Sequence, residues 1–509
     1  MGKLKKMSKD LHKLVLELQS IAKLAGVQSL VSWDQETYMP DGAIEARSEM
    51  GAELAAVIHQ KMTLPAFESL LGDFVDLASG EVDSGLEAQT KVFVQEIYRD
   101  WKWSARLPTE FVREYSSLKS QSQHAWQEAR HKNDFSHFSP FLKKTVEMTA
   151  KKALYIAPEK PVYETLLDEY EPGMTPGVLT PLFQGLREEL VVLLGQIQAQ
   201  KPLPFIDFGA FTYDKAQQLA VSRVLLEKIG FSFDRGRLDC SAHPFTTQFH
   251  PTDVRVTTRV SLTNLMDNIS STMHEGGHGL YEQGLDPAWF GTPRGLPASL
   301  GIHESQSRFW ENHIGKSREF WEGCYPLLQT SFPVLQAHMS GDFYRSINQV
   351  KPSLIRVESD EVTYNLHILI RYEMEQLIFE DQVPIESLPR LWNQKYQDYL
   401  GILPPTDSQG ILQDVHWSMG AFGYFPTYTL GNLYAAQIAD HLTQTLPNYD
   451  GLVVSGDFRP ILSWLSTHIF RSGRMKPAQE LVKDLVGKPL AYTSFSSYLH
   501  KKYKEIYAF

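Results

Sequence analysis

The chain has 509 residues and a formal net charge of −11, and its acidic side chains are spread along it rather than grouped. This balance argues against a nucleic-acid-binding protein, which needs a basic surface. Cys240 and Cys324 are its two cysteines; they do not make a disulfide framework and fit a reducing cytosol, so we expect a cytoplasmic protein. Length alone would allow about two to four domains, but no Pro/Gly/Ser-rich linker divides the chain, so we predict one domain over residues 1–509.

Near the N-terminus, apolar residues recur at helical spacing and predict an amphipathic helix that packs within the protein. These residues are Leu11, Leu14, Leu18, Ile21 and Ala25. No uninterrupted apolar run of about 18 residues is present, so we expect neither a signal peptide nor a membrane span. Helical spacing continues along the chain and predicts helices at roughly 8–26, 42–61, 108–131, 135–155, 176–199, 213–229, 262–283, 300–315, 361–380 and 430–445.

The clearest strand candidate is segment 254–260, in which valines alternate with other residues. The preceding segment, 231–249, is rich in β-forming and turn residues and could pair with it. We therefore predict a small sheet beside the helix that follows, in an otherwise mainly helical protein. An extended peptide could add as a further strand to an exposed edge of this sheet.

Residues 274–278 read His-Glu-Gly-Gly-His. On a helix His274 and His278 point the same way and make a two-imidazole clamp for Zn²⁺. Glu275 lies one step round the helix, where it can take a proton from a water held by the metal. The spacing therefore predicts a water-activating site suited to amide hydrolysis. Two glycines inside a helix cost about 1 kcal/mol each against alanine, which indicates close approach of backbone or substrate.

A catalytic zinc uses three protein ligands and leaves one position for water. Glu304 follows His278 by 26 residues, which leaves room for a loop and a second helix that returns to the first. We predict that Glu304 is the third ligand, that it shares a polar face with Arg308 and Glu311, and that Phe309 and Trp310 pack behind. His303 is the competing choice and His313 a weaker one. Nitrogen and oxygen ligands would also suit Co²⁺ or Mn²⁺.

Several ordered motifs give the chain a resemblance to the carboxypeptidase Taq family of zinc metallocarboxypeptidases, over nearly its whole length. The motifs are His243-Pro244-Phe245, Asp253-Val254-Arg255-Val256-Thr257, the segment from His274 to His278, His303-Glu304-Ser305, Ile355-Arg356-Val357-Glu358-Ser359-Asp360, and Gly410-Ile411-Leu412-Gln413-Asp414-Val415-His416-Trp417, together with the N-terminal segments from Trp33 to Pro40 and from Leu167 to Gly173. The family usually has Ala where Ser359 stands, a small difference. The resemblance implies a two-lobed helical shell around a deep substrate groove, removal of C-terminal residues, and a homodimer.

An exopeptidase must also hold the terminal carboxylate of its substrate, and the planar guanidinium of arginine does this best. Arg356 is the candidate that the family pattern favours; a structural ion pair with Glu358 or Asp360 is the competing interpretation. Arg308 and Arg371 are the less favoured alternatives for the anchor.

The segment from Gln413 to Tyr428 has the glycines and aromatics of a loop that lines a cleft. We assign Tyr428 to the oxyanion, with His416 beside it, because a late His and Tyr pair recurs in related helical zinc peptidases. Tyr424 competes with Tyr428 for this role. His243 is a further candidate for contact with substrate, held extended by the proline that follows it.

Together these expectations predict a zinc-dependent metallocarboxypeptidase that releases C-terminal amino acids one at a time from peptides with a free C-terminus. The alternatives are a zinc oligopeptidase or dipeptidase acting on short peptides, which needs no carboxylate anchor, and a non-catalytic peptide-binding protein in which zinc is structural. The intact Glu275 and the set of three ligands argue against the last, since a closed structural zinc site would use four protein ligands.

Overall fold

The structure, a computed structural model, describes residues 9–509; residue 8, where the first predicted helix begins, lies outside this range. The described residues form twenty α-helices and one three-stranded sheet, which confirms the expected mainly helical class. In chain order the elements are α1 Lys9–Thr37, α2 Ile44–Thr63, α3 Pro65–Gly72, α4 Ala88–Ala105, α5 Thr109–Lys132, α6 Phe135–Ile156, α7 Val162–Tyr170, α8 Pro176–Gln198, α9 Lys215–Ile229, β1 Gly236–Cys240, β2 Thr246–His250, β3 Asp253–Thr258, α10 Leu265–Gly284, α11 Leu300–Arg308, α12 Arg318–Ser331, α13 Ser340–Ile347, α14 Glu361–Phe379, α15 Leu388–Leu400, α16 Pro426–Thr445, α17 Tyr449–Ser455, α18 Arg459–His468, α19 Ala478–Val486 and α20 Thr493–Tyr507.

Each predicted helical segment contains a helix, with two notable differences in extent. The first continues to Thr37 because Gly26 does not interrupt it: a Cβ there would lie 2.7 Å from the carbonyl oxygen of Phe249. The glycine therefore serves close packing against β2 rather than helix termination. The segment predicted at 300–315 divides into α11 and a π-helical turn, Phe309–Ile314.

The sheet has the order β1-β3-β2, with β1 parallel and β2 antiparallel to the central strand β3. The predicted strand at 254–260 corresponds to β3, and both β1 and β2 come from the segment that was expected to pair with it. Val254 and Val256 are buried, and β3 packs against α10. The predicted sheet beside the His-Glu-Gly-Gly-His helix is therefore present.

Among residues 9–509, α1 is long and apolar enough, by length and composition alone, to cross a membrane. This differs from the expectation that no such segment exists, and it is weak evidence because core helices of soluble proteins share these properties. Leu11, Leu14 and Leu18 of α1 are buried in a core that also includes Phe67 and Phe93. The predicted amphipathic stripe thus packs within the protein.

The contacts divide the chain into two compact units, each made of three separate stretches. The first unit contains the described residues up to Ala105, together with Ile206–Ile347 and Ile438–Lys488. The second contains Arg106–Phe205, Asn348–Gln437 and Pro489–Phe509. The sheet, α10 and α11 belong to the first unit, whereas α14 and the loop from Gln413 to Tyr428 belong to the second.

Candidate functional site

Helix α10 presents the two histidines of the motif on one side. The Asn264 side chain caps the helix by accepting from the backbone N–H of Asp267 at 3.2 Å. Ile269 and Met273 are buried, while the imidazoles of His274 and His278 are only partly covered, with ring centroids 4.9 Å apart. A single apolar face therefore fixes the direction in which the histidine pair points.

The two glycines between the histidines lie at close approaches to neighbouring helices. A Cβ on Gly276 would lie 2.6 Å from a methyl group of Leu226 on α9. A Cβ on Gly277 would lie 2.5 Å from the carbonyl oxygen of Gln306 and 2.7 Å from Cα of Ser307, both on α11. The glycines thus allow the backbone of α11 to reach α10, which is the backbone approach that the sequence indicated.

Helix α11 carries Glu304 to the histidine pair. Glu304 Oε2 lies 3.6 Å from His274 Nε2 and 3.4 Å from His278 Nε2. Arg308 Nε donates to Glu304 Oε1 at 2.6 Å, and the Ser307 hydroxyl donates to Oε2 at 3.0 Å. Burial alone would raise the pKa of Glu304, but Arg308 and His274 hold it below its ordinary value. Glu304 is therefore an ionised, oriented carboxylate.

The donor atoms of His274, His278 and Glu304 all lie within 4.8 Å of one another, as a single metal ion requires. Burial, and to a lesser degree the neighbouring His303, lower the pKa of His278 to about 3, so its imidazole is neutral, the form that binds metals. Two imidazole nitrogens and one carboxylate oxygen suit Zn²⁺ in a catalytic site, and Co²⁺ or Mn²⁺ as well. The residues present therefore fit a divalent metal.

Glu275 is buried on the side of α10 towards the sheet. Thr246, on the edge strand β2, donates its hydroxyl to Glu275 Oε2 at 2.7 Å. Burial raises the pKa of Glu275, against the opposing effects of His274 and the Thr246 hydrogen bond. A carboxylate with a raised pKa is a better proton acceptor, as a general base needs to be.

The polar face that the sequence grouped, Glu304 with Arg308 and Glu311, is present. Arg308 also donates to Glu311 Oε2 at 3.1 Å. The π-helical turn contains Glu311, whose Oε2 lies 2.9 Å from His274 Nδ1. Burial would raise the pKa of Glu311, but Lys316 and Arg308 hold it well below its ordinary value. The contact of Glu311 with His274 was not predicted, because it depends on the widened turn.

His303, the alternative third ligand, contacts His278 from the other side of its ring. The Nδ1 atoms of the two residues lie 2.5 Å apart, whereas Glu304 faces Nε2 of His278. Nε2 of His303 lies 2.7 Å from Glu282 Oε1. His313 stacks on Phe309 with ring centroids 6.3 Å apart. Neither histidine belongs to the group of three donors.

In the second unit, Arg356 lies in a short 3₁₀ turn before α14 and is buried. Its Nε donates to Asp414 Oδ1 at 3.0 Å, and its Nη1 donates to the Tyr364 hydroxyl at 3.3 Å. The other oxygen of Asp414 accepts from Arg371 Nε at 2.7 Å. Glu358 and Asp360 are not the partners that the sequence suggested: Asp360 caps α14, and Glu358 is exposed. One carboxylate is therefore shared by two arginines.

The aromatic residues of the loop gather beside this arginine cluster. His416 Nε2 lies 3.4 Å from the Tyr428 hydroxyl, and the Arg356 guanidinium lies 5.1 Å from the centre of the Tyr428 ring. The Tyr424 ring is 5.5 Å from His416 and packs edge-on against Tyr170. Burial lowers the pKa of His416 to about 4, although Asp414 opposes this shift, so His416 is neutral at neutral pH.

A buried carboxylate, Glu375 of α14, holds this loop in place. It accepts hydrogen bonds from Trp417 Nε1, from the backbone N–H of Gly423 and from the Tyr163 hydroxyl, each at 2.9 Å. Gly423 has φ +84°, and a Cβ there would lie 2.6 Å from the backbone of Leu166. The sequence analysis missed Glu375 because nothing in its own segment distinguishes it from a surface acid.

His243 lies in the connection between β1 and β2, where its side chain is exposed. Its carbonyl oxygen accepts from the Ser241 hydroxyl at 2.7 Å, which helps to hold the loop. Nearby, Asp253 and Arg255 of β3 form an ion pair at 2.7 Å. This pair supports the sheet rather than the cluster of His274, His278 and Glu304.

A histidine pair and a carboxylate from two packed helices, with a buried glutamate beside them, define a metallopeptidase of the H-E-x-x-H type. The profile of the carboxypeptidase Taq (M32) metallopeptidases matches residues 13–503, and the chain belongs to this family. It is 41% identical to carboxypeptidase 1 of Bacillus subtilis over 491 residues, covering 96% of this chain and 97% of the relative. It is 40% identical to thermostable carboxypeptidase 1 of Thermus thermophilus over 505 residues, covering 97% and 98%. The crystal structure of the M32 carboxypeptidase from Deinococcus radiodurans has a TM-score of 0.94 at 36% identity, covering 99% of this chain and all of that one.

Proposed function

We propose that this metallopeptidase is a zinc-dependent carboxypeptidase that releases amino acids one at a time from the free C-terminus of peptides. The observation that carries the proposal is the charge of the buried arginine cluster. Arg356 and Arg371 share the single carboxylate of Asp414 while His416 is neutral. These four side chains therefore keep one positive charge, and a buried charge is unfavourable unless an anion pairs with it. The carboxylate of a peptide C-terminus is such an anion.

Arg356 is the better of the two arginines for this role. Arg371 is fully buried, donates to the carbonyl oxygen of His367 and stacks on Trp392, so its donors face the protein. Arg356 retains about 8% exposure of its side chain. The third candidate, Arg308, is engaged with Glu304 and Glu311. We therefore assign the terminal carboxylate of the substrate to Arg356.

We assign the metal to His274, His278 and Glu304. When bound, a divalent metal at these residues supplies Lewis acidity, which polarises a carbonyl and lowers the pKa of water. Glu275 accepts the proton of the attacking water and passes it to the leaving amine, a role for which its burial and raised pKa suit it. Tyr428, with His416 beside it, donates to the oxyanion that forms at the scissile carbonyl. Tyr424 and His243 are retained as candidates for contact with the rest of the substrate.

We further propose, from the family resemblance, that the whole chain acts as one metallocarboxypeptidase domain and that it is a cytoplasmic homodimer. Both units are assembled from interleaved stretches of chain rather than from consecutive segments, which supports the single domain. Cys240 and Cys324 are both free thiols, which supports a reducing compartment. Sedimentation of the purified protein would test the dimer.

The decisive experiment compares one peptide with a free and with an amidated C-terminus, with the products identified by mass spectrometry. Amidation leaves the cationic cluster without its anion, a penalty of about 2–5 kcal/mol. We expect discrimination in kcat/KM of roughly 30-fold to several thousand-fold for the wild type. Arg356→Ala should cleave both peptides slowly and about equally.

Arg187→Ala is the matched control, because Arg187 is a half-buried arginine of the same unit whose partners are Glu373 and Tyr399. It should discriminate as the wild type does. Equal cleavage of both peptides by the wild type would favour the oligopeptidase or dipeptidase instead. Bound metal with no cleavage of either peptide would favour a non-catalytic peptide-binding protein. Discrimination that survives in Arg356→Ala would assign the anchor to another basic residue.

A further inference from the structure

His274 and His278 direct their Nδ1 atoms, which face away from Glu304, to different partners. His274 Nδ1 lies 2.9 Å from the carboxylate of Glu311. His278 Nδ1 instead lies 2.5 Å from Nδ1 of His303, and Nε2 of His303 lies 2.7 Å from Glu282 Oε1. One histidine is therefore held directly by a carboxylate, and the other through an intervening imidazole.

The carboxylate of Glu282 determines which ring nitrogens of His303 and His278 carry protons. A carboxylate accepts hydrogen bonds, so in the contact with Glu282 Oε1 it is Nε2 of His303 that donates. With its proton on Nε2, the His303 ring presents Nδ1 as an acceptor to Nδ1–H of His278. His278 in turn has a bare Nε2, on the side of the ring that faces Glu304. These hydrogen bonds thus select the tautomer of His278 that can bind a metal through Nε2.

His303 is itself held rigidly. It lies directly before Glu304 in α11, and its ring is 5.3 Å from the ring of Tyr281. Glu282 is four residues after His278 on α10, so both ends of the chain of hydrogen bonds are fixed to one helix. Side chains that orient a metal ligand in this way typically contribute about 10- to 100-fold to metal affinity.

We propose that His303, oriented by Glu282, is a positioning residue that keeps His278 in the Nδ1–H tautomer and so strengthens metal binding. The inference rests on the proposed metal site at His274, His278 and Glu304. It gives His303 a role that needs no contact with the metal. It also makes Glu282 part of the site, through its contact with His303.

The test measures the affinity of the full-length protein for Zn²⁺ by competition with a chelator, with the fold checked by circular dichroism before and after metal removal. His303→Leu removes the acceptor and should weaken Zn²⁺ binding by about 10- to 100-fold. His303→Asn places an amide oxygen near the position of Nδ1 and should recover most of that loss. Glu282→Gln acts through the far nitrogen of His303 and should weaken binding less than His303→Leu. It supplies the test if His303→Leu fails to fold.

His338→Phe is the matched control, because His338 is another half-buried imidazole of the same unit, packed 5.6 Å from the ring of Phe208. Its Zn²⁺ affinity should equal that of the wild type. The proposal would be overturned if His303→Leu bound Zn²⁺ with wild-type affinity, or if Glu282→Gln did so in the case where His303→Leu does not fold. An equal loss of affinity in His303→Leu and His303→Asn would also overturn it. A wild type that binds no Zn²⁺, or a His278→Ala that binds it normally, would overturn the metal site itself.

Discussion

Gly277 offers the sharpest test of how the fold positions Glu304 beside His274 and His278, the three proposed metal ligands. A Cβ at this position would lie 2.5 Å from the carbonyl oxygen of Gln306 and 2.7 Å from Cα of Ser307, which are backbone atoms that cannot rotate away. Contact begins to be unstrained at about 3.4 Å, so Gly277→Ala requires α11 to retreat by about 0.9 Å. Glu304 lies on that helix, and metal–ligand distances tolerate only about 0.2 Å.

The expected loss of Zn²⁺ affinity in Gly277→Ala depends on which state of the protein can release the strain. Overpacking of this kind costs about 1–3 kcal/mol, and the metal-free protein can relieve it by letting α11 move outwards. If Glu304 is the third ligand, as proposed, Zn²⁺ binding requires it to return and restores the strain, so the strain is subtracted from the binding free energy. At 1.4 kcal/mol per tenfold, Gly277→Ala should weaken Zn²⁺ binding by roughly 5- to 150-fold. The helix propensity gain of about 1 kcal/mol is common to both states and does not offset this loss.

Gly276→Ala provides the matched control, because it makes the same chemical change one residue earlier. Its Cβ would meet methyl groups of Leu226 and Ile229, at 2.6 and 3.0 Å, and these side chains can adjust. Its Zn²⁺ affinity in chelator competition and its kcat/KM should stay within about threefold of the wild type, as expected where flexible side chains repack. Equal affinities for the two variants would refute the idea that backbone contact at Gly277 sets the position of Glu304.

Three further changes have defined outcomes. Glu275→Gln should retain metal, by elemental analysis, while turnover falls by at least roughly 10²-fold; near-normal turnover would remove Glu275 from its assigned role. Glu304→Ala should lose stoichiometric metal together with activity, and full metal content would show that the third ligand lies elsewhere. The unfolded His416 imidazole takes up a proton near pH 6.5, whereas the folded one does so only near pH 4. The stability from this residue is therefore present above about pH 6.5 and lost as the pH falls towards 4. Between about pH 7.5 and 5, wild type should lose about 2 kcal/mol of unfolding free energy relative to His416→Asn in denaturant titrations; parallel pH profiles would contradict this.

The histidine pair and its helix could be predicted from the sequence because every signal needed was local. The spacing of His274 and His278 fixes their common direction on any helix, and the glycines between them indicated a close backbone approach. The position of Glu304 could be anticipated because one loop and one short helix connect it to α10. Its prediction as a ligand depended on the nearby His-Glu-Gly-Gly-His motif, since without that motif a surface carboxylate would be the better interpretation.

The contacts around the histidine pair were less predictable because local departures from regular helix geometry determine them. Helix α11 does not continue smoothly but passes into a π-helical turn at Phe309–Ile314, within which Glu311 contacts His274. A regular helix through this segment would rotate Glu311 away from its observed direction. His303 was an alternative ligand because sequence spacing shows which residues lie near the histidine pair. It does not show that His303 contacts Nδ1 of His278 whereas Glu304 faces Nε2.

The partner of Arg356 shows the limit of local reasoning most clearly. Glu358 and Asp360 are the nearest acids in sequence, but Asp360 already accepts from the backbone N–H groups of Val362 and Thr363, each at 3.0 Å, to cap α14. Asp414, 58 residues away, takes the arginine instead. An acid that caps a helix is already satisfied by backbone donors, so a nearby buried cation must draw its counter-charge from a distant segment. Because Asp414 also pairs with Arg371, that counter-charge is incomplete. This deficit of one negative charge is the basis of our proposal that the cluster binds the carboxylate of the substrate.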